Sequence, residues 1–492
     1  MQYLKYIGIC ASVLGPILLI AGCAVNPVTG QSNFVMMSED DEIKLGREAN
    51  PDIIKQYGGI YDNPALQSYV QNIGESLAAV SHRNKLVYRF TVLDSPMVNA
   101  FALPGGYIYI TRGLLAYLNS EAELAAVLGH EIGHVTARHS VRTISIARAA
   151  DIGFAIGSIL APELQTQAAQ NIFNILGNAL ISGYGRDNEL EADRLGAEYL
   201  ARDGYDPQAM IKVIEVLKNQ EEFEKQLAAE EGREPRIYHG VFASHPDNDT
   251  RLQQVVGSAE VLKSDSANHD DREGFLNQID GMVFGDSERE GIIRDNVFYH
   301  SALGIAFKFP TDWKIDNLPE RLTAHPRNND GLLQLIVQDL NRDYTPREFM
   351  TVKLKLSKLK QEEELNPAGL EGYTAVAKVN TPFGKRDTRF SVIYLNSSAF
   401  VFMGTAKDAR AFEQYDQEFL ATAKSFHPLE SKELPLARAK SIRLYKIQQG
   451  DNVDKFAKRS ALSNHPVEQL RLLNAIYPAG EPVAGQWFKI VQ

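Results

Sequence analysis

The chain opens on MQYLKYIGICASVLGPILLIAGCAVNP, in which Lys5 precedes an apolar run from Tyr6 to Ala21. That run is short for a membrane span and fits a secretory signal, with an uncleaved anchor helix as the alternative. The next strong pattern is SEAELAAVLGHEIGHVTARHS, Ser120 to Ser140. Ser120 with Glu123 three residues on makes a capping-box pattern, so a helix should begin near Glu121 and run through His130 without a breaker. A second helical pattern, SGYGRDNELEADRLGAEYLARDGYDP (Ser182–Pro207), should end near Gly204. The stretch between them, about residues 151–185, predicts two amphipathic helices, either a lid over a cleft or a core hairpin. Ahead of the first helix, Tyr107-Ile108-Tyr109-Ile110 has the make-up of an exposed edge strand or hairpin arm, turned by Pro104-Gly105-Gly106.

Past residue 260 the polar, acidic SDSANHDDREG predicts a linker. GIAFKFPTDWKI, LLQLIVQDL, YTAVAKV, RFSVIYL and AFVFMGTA then predict strands, with helices over about Thr345–Leu365 and Ala409–Phe426. Strands mixed with two helices give an α+β unit. The last fifty or so residues predict a strand, two helices and a strand.

Composition adds three constraints. With 492 residues and 44% hydrophobic content, the chain can build several cores. A net charge of −11 without a basic block argues against nucleic acid. The two cysteines are Cys10 and Cys23. Ile20-Ala21-Gly22-Cys23 resembles a bacterial lipobox, which implies cleavage, lipidation of Cys23 and no internal disulfide. Ala24, where an aspartate would imply inner-membrane retention, points to an outer-membrane anchor facing the periplasm.

The candidate chemistry lies on the two helical patterns. His130 and His134 are one turn apart and share a face, so both imidazoles can take one zinc ion. Glu131 beside them can take a proton from the attacking water. His139 lies about 140° round a continuous helix from His134. With no glycine in Val135-Thr136-Ala137-Arg138 to turn the chain, His139 is expected at the surface or behind a ligand. Glu189 and Asp193 are again one turn apart. Glu189 can be the third zinc ligand, and Asp193 can hydrogen-bond the outer nitrogen of a ligating histidine.

HEIGH followed some fifty residues later by ELEAD resembles the gluzincin family that includes HtpX, the CAAX prenyl endopeptidases and the BepA-type periplasmic proteases. VNAFALPGGYIYITRGLL (Val98–Leu115) and FASHPDNDTRLQQV (Phe242–Val255) are similar to two further family segments. The resemblance implies a zinc endopeptidase with His130, His134 and Glu189 on the metal and Glu131 as base. It also implies an active-site role for His245, either on the oxyanion or as a fourth ligand that blocks the water site, with Arg251 a second candidate for holding the developing charge. A substrate could lie along the Tyr107–Ile110 strand in extended form; a purely structural hairpin is the alternative. The short apolar run before Pro162 lacks the length of a membrane span and places the chain with the periplasmic branch.

FPTDWKI is similar to sandwich domains of the PsbP/Mog1 type, and no chemical cluster marks that region. Gly450-Asp451, Leu473-Asn474 and GQWFKI resemble a LysM module, although Asn452-Val453 replaces the usual Thr-Leu, which leaves peptidoglycan binding open. The expected architecture is therefore multidomain. It has a signal peptide (1–22), a tether (23–34), a mainly α zincin-type protease domain with a small β-sheet (35–262) and a linker (263–295). An α+β domain (296–429) and a small βααβ LysM-like module (430–492) follow. The expected function is a lipid-anchored zinc endopeptidase acting on unfolded or misassembled envelope proteins. The alternatives are a wall-binding chaperone or adaptor and a zinc hydrolase of cell-wall peptides.

Overall fold

The computed structural model describes residues 23–25, 27–28, 30, 32–35, 37–146, 184–232, 235, 251, 262, 270–318 and 321–492. The expected signal peptide, the helices between residues 151 and 183, and His245 lie outside them. The chain divides into two compact units, Met1–Met282 with Ser441–Gln492, and Val283–Lys440.

In the first unit, short strands β1 (Cys23–Val25) and β2 (Ser32–Phe34) pair antiparallel. Helices α1 (Glu39–Gln56) and α2 (Pro64–Ala79) follow, capped by Ser38 and Asn63. Strands β3 (Arg89–Leu93), β4 (Ala100–Leu103) and β5 (Tyr107–Thr111) form a sheet of order β3-β5-β4. Then come α3 (Arg112–Tyr117), α4 (Glu121–Thr136), α5 (Arg186–Asp203), α6 (Ala209–Glu230) and α7 (Arg272–Ile279).

The expectation that Tyr107–Ile110 forms an exposed edge is corrected here. β5 is the middle strand, parallel to β3 and antiparallel to β4, and all five of its residues are buried. An apolar run without polar alternation is the mark of a strand covered on both faces. Its tyrosines join a core with Leu45, Phe101, Val141 and Ile144. The outer strand on the α4 side is β4.

Helix α4 is the unit's axis, and every residue from Ala122 to Thr136 is buried. A helix buried on every side must be packed on every side, and α2, α5, α6 and β4 surround it. It meets α5 at small residues. A methyl added at Gly133 would lie 2.8 Å from the Ala192 carbonyl oxygen, and one at Gly196 would lie 2.9 Å from the His130 nitrogen. Only glycine permits an approach this close. α5 ends at Gly204 with φ 88°, a left-handed C-cap at the expected place.

The second unit holds β6 (Val283–Phe284), β7 (Ile292–Arg294), β8 (Val297–His300), β9 (Ile305–Lys308), β10 (Lys314–Leu318), β11 (Arg321–His325) and β12 (Gly331–Asp339). It continues with α8 (Pro346–Glu348), β13 (Lys360–Leu365), β14 (Gly372–Thr381), β15 (Gly384–Leu395), β16 (Ser398–Ala406), α9 (Ala409–Lys424) and β17 (His427–Pro428). A seven-stranded sheet runs β10-β11-β12-β16-β15-β14-β13. Alternation splits it into two faces. Phe400 and Phe402 pack with Phe307, Phe419 and Phe426 in one core, while Val401 and Val392 pack with Phe349 and Met350 in another. Residues 263–295, expected as a linker, carry α7, β6 and β7 in their described part.

The helix expected over Thr345–Leu365 is also corrected. α8 passes into a π-turn that ends at Lys353, and Lys355 and Lys358 take φ near 55°. The charged KQEEEL then becomes β13, the sheet's outer strand with five exposed residues. Glu, Gln and Lys favour helices by local preference, but charge also suits an edge strand because it discourages further pairing.

The C-terminal stretch has the expected order: β18 (Lys440–Lys446), α10 (Val453–Ala457), α11 (Pro466–Leu473) and β19 (Trp487–Val491), with β18 and β19 antiparallel. It clusters with the first unit rather than standing apart.

Candidate metal centre

The start of α4 is fixed by two hydrogen bonds. Ser120 Oγ accepts from the Glu123 amide at 3.3 Å, as its capping position requires. The Glu123 carboxylate reaches one residue further back than a capping box predicts, accepting from the Asn119 amide at 2.7 Å.

One turn apart on α4, His130 and His134 bring their Nε2 atoms to 2.9 Å. The close crossing of α5 places the Glu189 carboxylate 3.5 Å from each of them. These are the three residues among those described whose donor atoms group as a metal site. Ligands about 2.0–2.1 Å from a tetrahedral zinc ion lie roughly 3.3–3.4 Å from one another. The two 3.5 Å separations match that spacing, the 2.9 Å between the nitrogens is shorter than it, and two nitrogens with one carboxylate are a donor set that fits zinc. Glu131 is buried in the same turn and lines a small apolar cavity of about 30 Å³. Its walls are Leu114 of α3, Ala126 and Val127 of α4, and Met210, Val213, Ile214 and Leu217 of α6, with Ala100 of β4 and Arg251 at its margin.

Each histidine is held from behind. His130 Nδ1 lies 2.7 Å from Asp193 Oδ1. Arg251 in turn grips Asp193 with two hydrogen bonds, from Nε at 2.8 Å and Nη2 at 2.7 Å, and its Nη1 lies 3.7 Å from Glu189. Burial alone would raise the Asp193 carboxyl, but Arg251 and then His130 outweigh it and hold it well below the usual carboxylate range. Burial likewise works against the His130 imidazolium, yet Asp193 outweighs it and raises the group. Metal loading there competes with a proton. Removing either partner of the Asp193–Arg251 pair would strand a buried charge, at a cost of about 3–5 kcal/mol.

His134 Nδ1 lies 2.8 Å from His139 Nδ1, and His139 Nε2 lies 3.1 Å from Glu191 Oε2. Burial pushes His139 down, against the pull of Glu191. A neutral His139 that donates from Nε2 to Glu191 accepts at Nδ1 from His134, which leaves His134 Nε2 facing the metal position. His139 is thus fully buried behind a ligand, not at the surface. The expectation of a continuous helix is corrected. The chain turns at Arg138 (φ 58°) without a glycine and starts a new helix at His139. The Arg138 guanidinium anchors the turn on Glu42 at 2.9 Å and on the Met37 carbonyl at 3.1 Å. Tyr184 stacks on the His134 ring with centroids 4.2 Å apart.

The residues brought together are His130, Glu131, His134, Glu189, Asp193 and Arg251. Sequence reasoning missed Glu191, Tyr184 and the apolar wall of α6. The last had a signal in the helical spacing of Met210, Val213, Ile214 and Leu217; the first two had none.

With this geometry in view, the likeness to known proteins is specific. Residues 64–259 match the model of peptidase family M48, and the chain carries a domain of that family. A beta-barrel assembly-enhancing protease of Yersinia pestis is 31% identical over 244 residues, covering 48% of this chain and 48% of that protein. The mitochondrial metalloendopeptidase OMA1 of Schizosaccharomyces pombe is 29% identical over 234 residues, 46% of this chain and 64% of that one. The chain spans about half the length of the assembly-enhancing proteases it matches. Among solved structures, cyanobacterial PsbP from Synechocystis aligns with 28% of this chain and 95% of its own at 17% identity and a TM-score of 0.22, too slight a likeness to bear on function.

Proposed function

We propose that this chain is a zinc-dependent endopeptidase, anchored as a lipoprotein through Cys23 and working in the periplasm at the outer membrane on unfolded or misassembled envelope proteins. The observation that carries the catalytic part is the meeting of the His130, His134 and Glu189 donor atoms within 3.5 Å of one another, with Glu131 beside them. The names of the assembly-enhancing relatives support the choice of substrate. The lipobox-like Ile20–Cys23 supports the anchor. No helix among the described residues is long and apolar enough to cross a membrane. The βααβ order of residues 440–491 supports a LysM-like contact with peptidoglycan as a further partner.

A zinc ion held there supplies a Lewis acid that polarises the scissile carbonyl and acidifies water. Glu131 accepts the proton of the attacking water on its carboxylate and passes it to the leaving amine. Asp193 fixes the His130 tautomer by accepting from Nδ1, and His139 does the same for His134. Arg251 has its guanidinium committed to Asp193, so it acts by positioning rather than by holding an oxyanion. That leaves His245 for the oxyanion or as a switchable fourth ligand. The test is casein cleavage by the parent and by Glu131→Gln. Cleavage by the parent and none by the variant is expected; equal cleavage by both would overturn the assignment of the base.

A further inference from the structure

The sequence of the C-terminal βααβ stretch resembles a separate LysM module, yet the stretch is built into the first unit at two places. The first is the connection between α3 and α4. Lys489 of β19 is fully buried and donates from Nζ to the carbonyl oxygens of Ala116 at 2.8 Å and Leu118 at 2.7 Å. Glu123, on the first turn of α4, is the carboxylate that acts on it electrostatically. The backbone of Lys489 is itself locked, since Asn474 at the end of α11 donates to its carbonyl and accepts from its amide. Arg272 of α7 completes the arrangement, donating to the Asn119 carbonyl at 3.0 Å. A buried amine is costly unless its hydrogen bonds are met, so this side chain is committed to one geometry.

The second place is the far half of α6. His465, just before α11, lies 3.3 Å from Glu230, and the rings of His465 and Tyr477 both meet Phe223 edge-on. Tyr477 also donates to Gln226 at 3.3 Å.

These two attachments fall on the elements that carry the two walls of the apolar cavity beside Glu131, the first next to Leu114 and the second on α6 about two turns or more beyond Leu217. Leu114 and Val127 belong to the α3–α4 wall, and Val213 and Leu217 to the α6 wall. We propose that residues 440–491 form a clamp that sets the width of this cavity and thereby the size of the apolar substrate side chain accepted next to the scissile bond. The clamp deepens the peptidase reading and rests on it only for the nature of the occupant. Lys489, His465 and Tyr477 are positioning residues that touch neither metal nor substrate. A cavity of about 30 Å³ holds only about two or three water-sized groups, so small displacements of either wall change what fits.

The test uses the full chain carrying Lys489→Met, and separately Tyr477→Ala, whose contacts lie nearer the surface and do not endanger folding. Two peptides that differ only in a small or a large apolar residue after the scissile bond are compared by kcat/KM. Hydrogen exchange is followed in residues 114–119 and in α6. Each variant should keep parental zinc content and shift the large-to-small preference by about tenfold, the scale of one or two methylene groups in an apolar pocket. Exchange should rise in the wall that was released. A folded, zinc-loaded pair of variants with the parental preference and parental exchange at both walls overturns the clamp. A parent that cleaves neither these peptides nor casein overturns the peptidase reading instead, and exchange at the two walls alone then decides the clamp. Should Lys489→Met fail to fold, the preference and exchange of Tyr477→Ala decide it.

Discussion

The approach of α4 to α5 at Gly133 sets the distance between the histidines and Glu189, so Gly133→Ala should weaken the metal site with little effect on the fold. An added methyl would sit 2.8 Å from the Ala192 carbonyl oxygen and 3.1 Å from its Cα. Relief to ordinary contact requires the helices to part by roughly 0.5 Å, and overpacking of this kind costs about 1–3 kcal/mol. Alanine returns about 1 kcal/mol of helix propensity over glycine. The net loss is therefore about 0–2 kcal/mol, a modest fall in thermal midpoint. The effect on zinc is larger. The 3.5 Å separations between Glu189 and the two Nε2 atoms would open toward about 4 Å, beyond what bonds of about 2.0–2.2 Å can span without distortion. Zinc affinity should fall at least about tenfold, comparable to losing a hydrogen-bond partner behind a ligand. Chelator competition measures the affinity, and thermal unfolding with and without zinc separates it from stability. Gly185→Ala, where an added methyl meets nothing within 4 Å, is the control. Parental zinc affinity in a folded Gly133→Ala protein would refute the reasoning.

Three further outcomes follow. His139→Ala should reduce zinc affinity about 10–100-fold by freeing the His134 ring, and Glu191→Gln should reduce it less; parental affinity of His139→Ala in chelator competition removes His139 from the site. His245→Ala should raise basal casein cleavage if the residue closes the water position, whereas a fall of about a hundredfold would assign it to the oxyanion. In the second unit, burial alone would raise the Asp316 carboxyl, but His325 and Lys314 outweigh it and hold it at about 2. Its folded value lies below the unfolded value of about 3.9. The pair's stabilisation is therefore complete above about pH 4 and lost as pH falls through about 2. Asp316→Asn should flatten that part of an acid-unfolding profile, and an unchanged profile would contradict the assignment.

The ligand set is legible in the sequence because its information is local. His130 with His134, and Glu189 with Asp193, each fall one helical turn apart, and a helix delivers that geometry whatever surrounds it. His139 escapes that logic because the turn at Arg138 is imposed by Glu42 and the Met37 carbonyl, about a hundred residues upstream. β5 reads as an edge because Tyr107–Thr111 does not announce which neighbours will flank it. The acidic β13 reads as helix because the open edge of β14 that recruits it is a tertiary feature. The docking of the C-terminal stretch is equally hidden, since the carbonyls that hold Lys489 lie more than 370 residues away in the chain.

The central claim is that His130, His134 and Glu189 hold one catalytic zinc ion. X-ray absorption at the zinc edge, with metal analysis of the parent and of Glu189→Gln, tests it most directly. One zinc per parent chain with nitrogen and oxygen neighbours at about 2.0–2.2 Å is predicted, together with loss of that zinc in the variant. Full zinc occupancy with an unchanged spectrum in Glu189→Gln would contradict it.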